Sequence, residues 1–129
     1  MALSNDREVT LDLLKNVVSR FVQERRWQKF HDLKNLAESI CIEASELLEI
    51  FQWCTTEESK ILTKDSENIR CLSNELADVM IYCLAFADAL QIDVAGSVLS
   101  KLKKDERRYP VSKCVEKVPR RKHSTGRKT

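Results

Sequence analysis

Residues 33–51 carry the clearest helical pattern in the chain. Their apolar side chains recur every three or four positions over about five turns, which is the spacing of an amphipathic helix that buries one face. Glu43 and Glu46 stand one turn apart on the flank of this apolar stripe. Two carboxylates at the edge of a buried face repel each other and resist desolvation, so the pattern requires a compensating cation.

Residues 69–90 repeat the arrangement. Glu75 and Asp78 are again spaced i and i+3, and they border a second apolar stripe. Packing the two stripes together would bring four carboxylates into one cluster. Oxygen ligands without histidine or thiolate suit a hard cation, Mg²⁺ or Mn²⁺, that keeps waters and meets a phosphate. The alternative interpretation is a pair of solvated acidic faces, because Glu-x-x-Glu pairs are common in charged helices.

Composition favours an all-α domain. The chain has 129 residues, enough for one domain, and its two Gly, two Pro and 33% charged residues are typical of helices rather than of a turn-rich β protein. Its apolar runs fall short of the roughly 18 residues of a membrane span, and the opening residues do not resemble a signal peptide. We therefore expect a cytoplasmic protein without membrane contact. The five cysteines show no CxxC spacing and are expected to be reduced and buried as small apolar groups.

The charge is divided unevenly along the chain. Residues 113–129 contain seven Lys and Arg against one Glu, a net charge of +6, whereas the whole chain carries +2 and the remainder therefore −4. We predict a helical domain over residues 1–112 and a basic, disordered tail over residues 113–129. The tail either binds nucleic acid or contributes only charge and solubility.

Four helices are predicted from polar caps that precede apolar stripes. The N-caps are Thr10, Asp32, Ser66 and Asp93. The first helix should end near Arg26, the second at Trp53 and the fourth before Pro110. Residues 55–68 form a polar connector with room for a short helical turn.

Two further groups of residues leave alternatives open. Trp27, Phe30 and His31 lie in the connector before the second helix. The two aromatics, Trp27 and Phe30, either pack over the end of a bundle or form a platform for a flat ligand. Trp53 lies on the acidic flank of its helix. It either packs in the core or forms part of the wall of a ligand site.

Lys101, Asp105 and Arg108 share one face of the fourth helix. This row is either a salt-bridged surface or a pair of cations that binds phosphate oxygens.

These motifs, in this order, resemble the MazG-like all-α nucleoside triphosphate pyrophosphohydrolases, and most closely the branch that contains dCTP pyrophosphatase. The family pattern of Glu-x-x-Glu followed by Glu-x-x-Asp is met by Glu43, Glu46, Glu75 and Asp78. The likeness continues in residues 24–31, 34–36, 46–53 and 101–110, and it covers about residues 10–112.

The resemblance implies an antiparallel bundle of four to five helices that assembles as a homodimer or homotetramer. It also implies Mg²⁺-dependent hydrolysis of (deoxy)nucleoside triphosphates to the monophosphate and pyrophosphate, a house-cleaning reaction for which dCTP or modified dCTP is a candidate substrate.

The resemblance also assigns roles to individual residues. Mg²⁺, with Mn²⁺ as a substitute, would be held by Glu43, Glu46, Glu75 and Asp78. Whichever of Glu43 and Glu46 is less engaged by metal would be the catalytic base. The base and sugar would contact Trp27, Trp53 and Tyr82. The phosphates would meet Lys34, Asn35, Lys101 and Arg108.

The chain departs from the family pattern at four positions. Ser45 replaces a common Gly, Leu33 replaces a usual Pro, and Asp105 replaces a common Asn. Val18 stands where animal dCTP-preferring members carry His, which leaves the preferred base open. Two other functions compete with the enzyme: a non-catalytic nucleotide- or metal-binding protein, and an adaptor that binds nucleic acid through the basic tail.

Overall fold

Helices make up the regular structure of residues 5–116, the part of the chain that the structure, a computed structural model, describes. The six α-helices of this part are α1 (Leu11–Glu24), α2 (Leu33–Glu49), α3 (Thr56–Leu62), α4 (Ser66–Ala89), α5 (Val94–Arg108) and α6 (Val111–Cys114). A 3₁₀ helix, Trp27–Phe30, connects α1 to α2. The described residues contain no strand, so the prediction of an all-α fold is confirmed. No single helix among them is long and apolar enough to cross a membrane by itself.

The helices form two compact units that divide between Asp93 and Val94. In the first unit, α2 packs along α4, and α1 packs on α4 beside it. The two principal helices run antiparallel, because Leu36 near the start of α2 meets the Ala85 region while Glu43 further along meets Glu75. Lys15 near the start of α1 donates to the carbonyl of Ile92 just after α4, at 3.3 Å, so α1 is also antiparallel to α4.

The core of the first unit is small and lies where the three long helices meet. Leu36 is 1% exposed, and the other buried apolar residues are Val22, Leu84, Ala85 and Ala87. The alanines let the helix axes approach closely, while full burial of a leucine side chain contributes about 1.5–3 kcal/mol. This core fixes the register of α2 on α4 and therefore the position of the acidic residues.

Side-chain caps explain most of the helix boundaries. Thr10 accepts from the Leu13 amide, and Asp32 accepts from the Asn35 amide, as the sequence predicts. The cap of α4 is Asp65 rather than the predicted Ser66, which is the first helical residue. Carboxylates and hydroxyls are both good N-caps, and two adjacent candidates leave the choice to local geometry.

Two segments differ from their predicted form. Thr55 and Glu58 make a reciprocal capping box, so the polar connector contains α3 instead of an isolated turn. The helix α2 ends at Glu49 rather than at Trp53. The amide of Phe51 donates to the carbonyl of Leu48, three residues back, at 2.9 Å. This turn replaces the four-residue hydrogen-bond spacing of the α-helix.

The apolar stripe of α2 is only partly covered. Its row at Leu36, Ile40 and Leu47 is buried or half-buried, whereas Leu33 and Leu48 in the neighbouring row are exposed. The stripe is wider than one partner helix covers, which leaves the second row without a neighbour in the described residues.

The predicted burial of the cysteines is wrong for the same reason. All five are free, but Cys41 and Cys71 are exposed and the others are half-buried. Periodicity placed Cys41, Cys71 and Cys83 on or beside a stripe without indicating which part of it another helix covers.

The second unit consists of α5 and α6. α5 ends at Arg108, before Pro110, as the sequence predicts. Pro110 is then the N-cap residue of α6, a short helix that the sequence analysis did not predict. The short α6 spans the predicted domain boundary at residue 112, and residues 117–129 of the predicted tail lie outside the described residues.

Candidate metal and nucleotide site

Three carboxylates from two helices meet at one point of the first unit. Glu43 of α2 and Glu75 and Asp78 of α4 each place one oxygen within 4.8 Å of the others. The i, i+3 spacing in α4 puts both of its acids on the side that faces α2. Among residues 5–116, none of the ion pairs includes these three carboxylates.

One oxygen of this cluster, on Glu75, has no hydrogen-bond donor beside it in the described residues. Its Oε2 atom is buried and has no hydrogen-bond partner in the described part of the chain. An unsatisfied buried polar atom costs about 1–3 kcal/mol, and more when the group is charged. A cation bound between the carboxylates would satisfy this oxygen.

Glu43 is also perturbed electrostatically. Desolvation raises its pKa above the ordinary value, and the negative charges of Glu46, Asp78 and Glu75 raise the pKa further. A bound cation would offset these negative charges and lower the pKa of Glu43 again. The all-oxygen donor set matches the preference of hard cations, so these residues are placed to hold a metal ion.

Glu46 takes a different position from the other three acids. It is exposed and lies outside the three-residue cluster, yet it lines the same cavity as Glu43 and Asp78. The four predicted metal ligands are therefore brought to one region, three of them within ligand distance of one another.

A cavity of about 550 Å³ opens beside the acids. Glu43, Glu46 and Asp78 line one part of it, and the remaining wall is mostly apolar or aromatic. The residues of that wall come from α1, the 3₁₀ connector and α4: Val17, Val18, Phe21, Val22, Trp27, His31, Ile81, Tyr82 and Ala85. An acidic end and an aromatic wall together suit a ligand with a charged group and a flat ring.

The connector places Trp27 in this wall. Arg26 adopts the left-handed conformation with φ of 54°, which turns the chain from α1 into the 3₁₀ helix. The Trp27 ring then packs edge-on against Phe21, with ring centroids 5.8 Å apart. The side chain of Asn35 donates to the Phe30 carbonyl at 3.1 Å and holds the end of the connector against α2.

His31 lines the cavity although sequence reasoning gave it no site role. Its ring centroid lies 6.3 Å from that of Tyr82. The platform interpretation concerned Trp27 and Phe30, and only the fold shows that His31 lines the acidic cavity while Phe30 does not.

Several predicted site residues of the first unit do not line this cavity. Trp53 follows the end of α2 and is 88% exposed. Lys34 makes an exposed ion pair with Glu38 at 3.0 Å, which raises the pKa of the lysine. Asn35 is engaged with the connector. Their predicted contacts with base or phosphate stay predictions.

The two residues of the second unit that were predicted to bind phosphate, Lys101 and Arg108, contact neighbouring side chains on α5 or just after it. Lys101 pairs with both carboxylate oxygens of Asp105. The guanidinium of Arg108 lies 5.2 Å from the centroid of the Tyr109 ring. Their phosphate contacts also remain predictions.

A sequence model of the MazG-like family matches residues 38–118, more than half of the 129-residue chain. The chain belongs to the MazG-like family. The matched region of this MazG-like chain contains all four of the acidic residues described above. The resemblance inferred from the motifs is thereby confirmed.

Named relatives agree with this assignment. The chain is 36% identical over 104 residues to dCTP pyrophosphatase 1 of Bos taurus and 37% identical over 103 residues to that of Homo sapiens. These matches cover 81% and 80% of the chain but only 62% and 61% of the relatives. The MazG-like chain thus spans about three fifths of the length of the curated relatives it matches.

A solved structure is also similar. A pyrophosphatase from Archaeoglobus fulgidus superposes with a TM-score of 0.70 and 38% sequence identity, over 83% of this chain and 98% of the archaeal one. The similarity supports the MazG-like all-α fold.

Proposed function

We propose that this chain hydrolyses nucleoside triphosphates to the monophosphate and pyrophosphate in a reaction that depends on Mg²⁺. The observation that carries the proposal is a cavity in which acids of the carboxylate cluster meet an aromatic wall. The names of the relatives, dCTP pyrophosphatase 1 and a pyrophosphatase, point to the same reaction class. A cytoplasmic location, where nucleotides are abundant, belongs to the same proposal.

In this proposal Glu43, Glu75 and Asp78 hold the ion, with Glu46 at the edge of the site. Mg²⁺, when bound, offsets the negative charge of the triphosphate and acts as a Lewis acid on a phosphoryl oxygen. Mn²⁺ has similar ligand preferences and is expected to substitute for it. The buried Oε2 of Glu75 supports this ligand set because it has no other partner in the described residues.

Glu46 is the better placed of the two candidate bases. It faces the cavity but lies outside the ligand cluster, which leaves its carboxylate available to accept a proton. Water would attack the α-phosphorus, its proton would pass to Glu46, and the bond from the α-phosphorus to the bridging oxygen would break. Pyrophosphate would leave with the electron pair of that bond. Glu43 remains the alternative base.

The flat wall would hold the nucleoside. Trp27 and Tyr82 line the cavity and are available to the base and sugar, and Trp53 remains a predicted third contact. Lys34, Asn35, Lys101 and Arg108 remain the proposed phosphate contacts. dCTP is a candidate substrate from the relatives' names, and Val18 in the wall is the residue that leaves the preferred base open.

We further propose a homodimer or homotetramer. Large apolar side chains are exposed on both principal helices, among them Ile42 and Leu48 on α2 and Leu76 and Met80 on α4. Rows of exposed apolar residues on helices are typical of surfaces that pack against another chain. Light scattering of the purified chain measures its assembly size directly.

A substrate panel tests the proposed reaction. The purified chain is incubated with each of the four common dNTPs and NTPs, with Mg²⁺ or with EDTA, and the products are separated by anion-exchange chromatography. The proposal expects monophosphate and pyrophosphate in equal amounts, with Mg²⁺ only. Release of inorganic phosphate and a diphosphate would contradict attack at the α-phosphorus.

A further inference from the structure

The net charge of the chain changes sign where its two compact units divide, between Asp93 and Val94. Residues 94–129 contain twelve Lys and Arg against three acidic residues, a net charge of +9. The whole chain carries +2, so residues 1–93 carry −7. A charge asymmetry of this size between two parts of a chain points to an anionic partner for the basic part.

Helix α5 concentrates five of these cations in its last eight residues. All five are exposed: Lys101, Lys103, Lys104, Arg107 and Arg108. Lys101 pairs with Asp105, and the guanidinium of Arg108 lies beside the Tyr109 ring. Among residues 5–116, none of the ion pairs includes the other three cations.

These three cations lie on one side of α5 together with Ser100. Arg107 follows Lys103 by four residues and Lys104 by three, and Ser100 precedes the two lysines by three and four. Residues at these intervals are neighbours on a helix surface. The four side chains are all exposed, and we call them the basic face.

The structure of α5 does not account for the basic face. Like charges one turn apart destabilise a helix. The helix dipole favours cations in the last turn, which explains Arg107, but Lys103 and Lys104 lie before that turn. An anionic ligand would offset the repulsion between these side chains.

The opposite side of α5 does not suit a lipid surface. Val98 and Leu102 are exposed there. However, Asp105 and Glu106 follow Leu102 by three and four residues and therefore share its side of the helix. A helix at a membrane surface buries its apolar side among lipid chains, and carboxylates on that side oppose burial.

The basic face does suit the backbone of a nucleic acid. Side chains three or four residues apart on a helix have Cβ atoms about 5–6 Å apart. Each strand of a duplex carries one phosphate per about 3.4 Å of its axis, so neighbouring side chains can reach neighbouring phosphates. Lys and Arg neutralise phosphates, and the hydroxyl of a serine is a common donor to them. One exposed side of a helix has no walls to enclose a small molecule, whereas an extended polyanion can lie along it.

We propose that the basic face of α5 binds the phosphate backbone of nucleic acid without preference for base sequence. The inference is independent of the proposed function, because Lys101 and Arg108, the proposed triphosphate contacts of α5, do not belong to the face. Phosphate contacts carry no direct information about bases. They release counterions from the nucleic acid, so the affinity should fall steeply as the salt concentration rises.

The test measures binding of a fluorescently labelled DNA duplex of about 20 base pairs by fluorescence anisotropy, at 50 and at 200 mM KCl. The full-length wild-type chain is compared with full-length variants that each lose three cations. The basic-face variant combines Lys103→Gln, Lys104→Gln and Arg107→Gln.

Two matched controls remove the same amount of charge elsewhere. The first-unit variant removes three exposed cations of residues 1–93: Arg20→Gln, Lys60→Gln and Lys64→Gln. The tail variant removes three cations of residues 117–129: Arg120→Gln, Arg121→Gln and Lys122→Gln.

The wild-type chain should bind the duplex with a Kd of about 10⁻⁶–10⁻⁴ M. The basic-face variant should bind at least about tenfold more weakly at 50 mM KCl, and the slope of its log affinity against log salt should be shallower by about 2–3, because each phosphate contact contributes about 0.9. The first-unit variant should stay within about threefold of the wild-type chain. Equal losses in these two variants would reduce the effect to net charge and overturn the inference, as would a loss confined to the tail variant.

A charge-retaining variant separates lost contacts from a damaged helix. Lys103→Arg, Lys104→Arg and Arg107→Lys together keep all three cations and should bind the duplex like the wild-type chain. If this variant binds as weakly as the basic-face variant, the side chains act on the structure of α5 rather than on phosphate, which contradicts the inference.

Two further readouts separate this surface from a membrane site and from the proposed reaction. Vesicles of about one third phosphatidylserine in phosphatidylcholine offer the same negative charge on a lipid surface, and tighter binding to them than to the duplex would overturn the inference. Triphosphate turnover by the basic-face variant should match that of the wild-type chain. A chain that binds the duplex through the basic face but hydrolyses no triphosphate would contradict the proposed function and support this inference.

Discussion

Glu43 of α2 and Glu75 of α4 direct carboxylate oxygens to within 4.8 Å of each other across the interface of two antiparallel helices. Two like charges at this distance oppose the packing that brings them together. The helices nevertheless pack here, because the core around Leu36 and Ala85 fixes their register. The interface thus holds a site that favours a cation.

A divalent ion should stabilise the folded chain through this site. We expect Mg²⁺ and Mn²⁺ to raise Tm, because a ligand that binds only the folded state stabilises it by an amount that grows with the logarithm of the ligand concentration over Kd. At a concentration one hundred times the Kd the gain is about 2.7 kcal/mol. Differential scanning fluorimetry with a metal titration measures the shift.

The matched pair for that measurement is Glu75→Gln and Glu49→Gln. Glu75 belongs to the carboxylate cluster, whereas Glu49 is an exposed acid near the end of α2 that is outside it. The metal-dependent rise should disappear in Glu75→Gln and persist in Glu49→Gln. Equal shifts in both variants would place the ion elsewhere.

Glu43 should destabilise the metal-free protein at neutral pH. Burial and three neighbouring acids raise its pKa above the ordinary value of 4.5, so the folded state holds this proton more tightly than the unfolded state does. Its contribution to stability is therefore most favourable below pH 4.5 and declines as the pH rises from there through the raised folded pKa.

Glu43→Gln removes this charge and tests the sign of its effect. In EDTA at pH 7 the variant should melt at a higher temperature than the wild-type chain, and the difference should shrink on acidification below pH 5. Thermal melts across pH 4 to 8 measure it. A variant that melts lower at pH 7 would show that the carboxylate is not destabilised by its neighbours.

The capping box of α3 should contribute to stability independently of the site. Thr55→Ala removes the acceptor for the Glu58 amide and is expected to cost about 1 kcal/mol in the free energy of unfolding, without loss of turnover. The amide of Thr55 and, after it, the Thr55 side chain that the variant removes hold the pKa of Glu58 below its ordinary value. The stabilisation by the ionised Glu58 carboxylate is thus fully present above the ordinary pKa of the group. It is lost as the pH falls through the lower pKa of the folded state.

Chemical denaturation at pH 7 and at pH 3 checks this prediction, with Thr56→Ala as the control from the first turn of the same helix. The difference between the two variants should be smaller at pH 3. A cost of Thr55→Ala that exceeds 3 kcal/mol, or a loss of activity, would mean that α3 does more than cap its own connector.

Asp105 should restrain a proposed phosphate ligand. Its carboxylate engages Lys101 within α5. If Lys101 contacts the triphosphate, Asp105→Asn should release it and lower KM several-fold, while stability changes by less than about 0.5 kcal/mol because the ion pair is exposed. Steady-state kinetics with the preferred triphosphate measures KM, and a raised KM would contradict this role for the pair.

Local pattern was enough to predict the four longer helices, α1, α2, α4 and α5, and the acids on α2 and α4. The i, i+3 spacing of Glu75 and Asp78 and the caps at Thr10 and Asp32 depend on residues a few positions apart, so sequence alone places them. The matching acidic flanks of the two apolar stripes led to the expectation that the two helices meet there, and the cluster shows that they do.

The sequence did not predict the exposure of the cysteines or the surroundings of His31. Both depend on which helix surfaces another element covers. Cys41 lies on the apolar stripe of α2 but is exposed, because α4 packs on the neighbouring row. His31 lies in a connector and was given no site role, and its position beside Tyr82 follows from tertiary packing. Trp53 falls after α2 because tight turns end that helix four residues earlier than its periodicity indicates.

The most direct test of the central claim is pyrophosphate release by the wild-type chain and by Glu46→Gln, each with Mg²⁺ and with EDTA. We expect turnover by the wild-type chain in Mg²⁺ only, a loss of about 10²–10⁴-fold in folded Glu46→Gln, and near wild-type rates in the Glu49→Gln control. Turnover that persists in EDTA, or that survives the loss of Glu46, would contradict an acidic site that uses a metal ion to cleave a triphosphate.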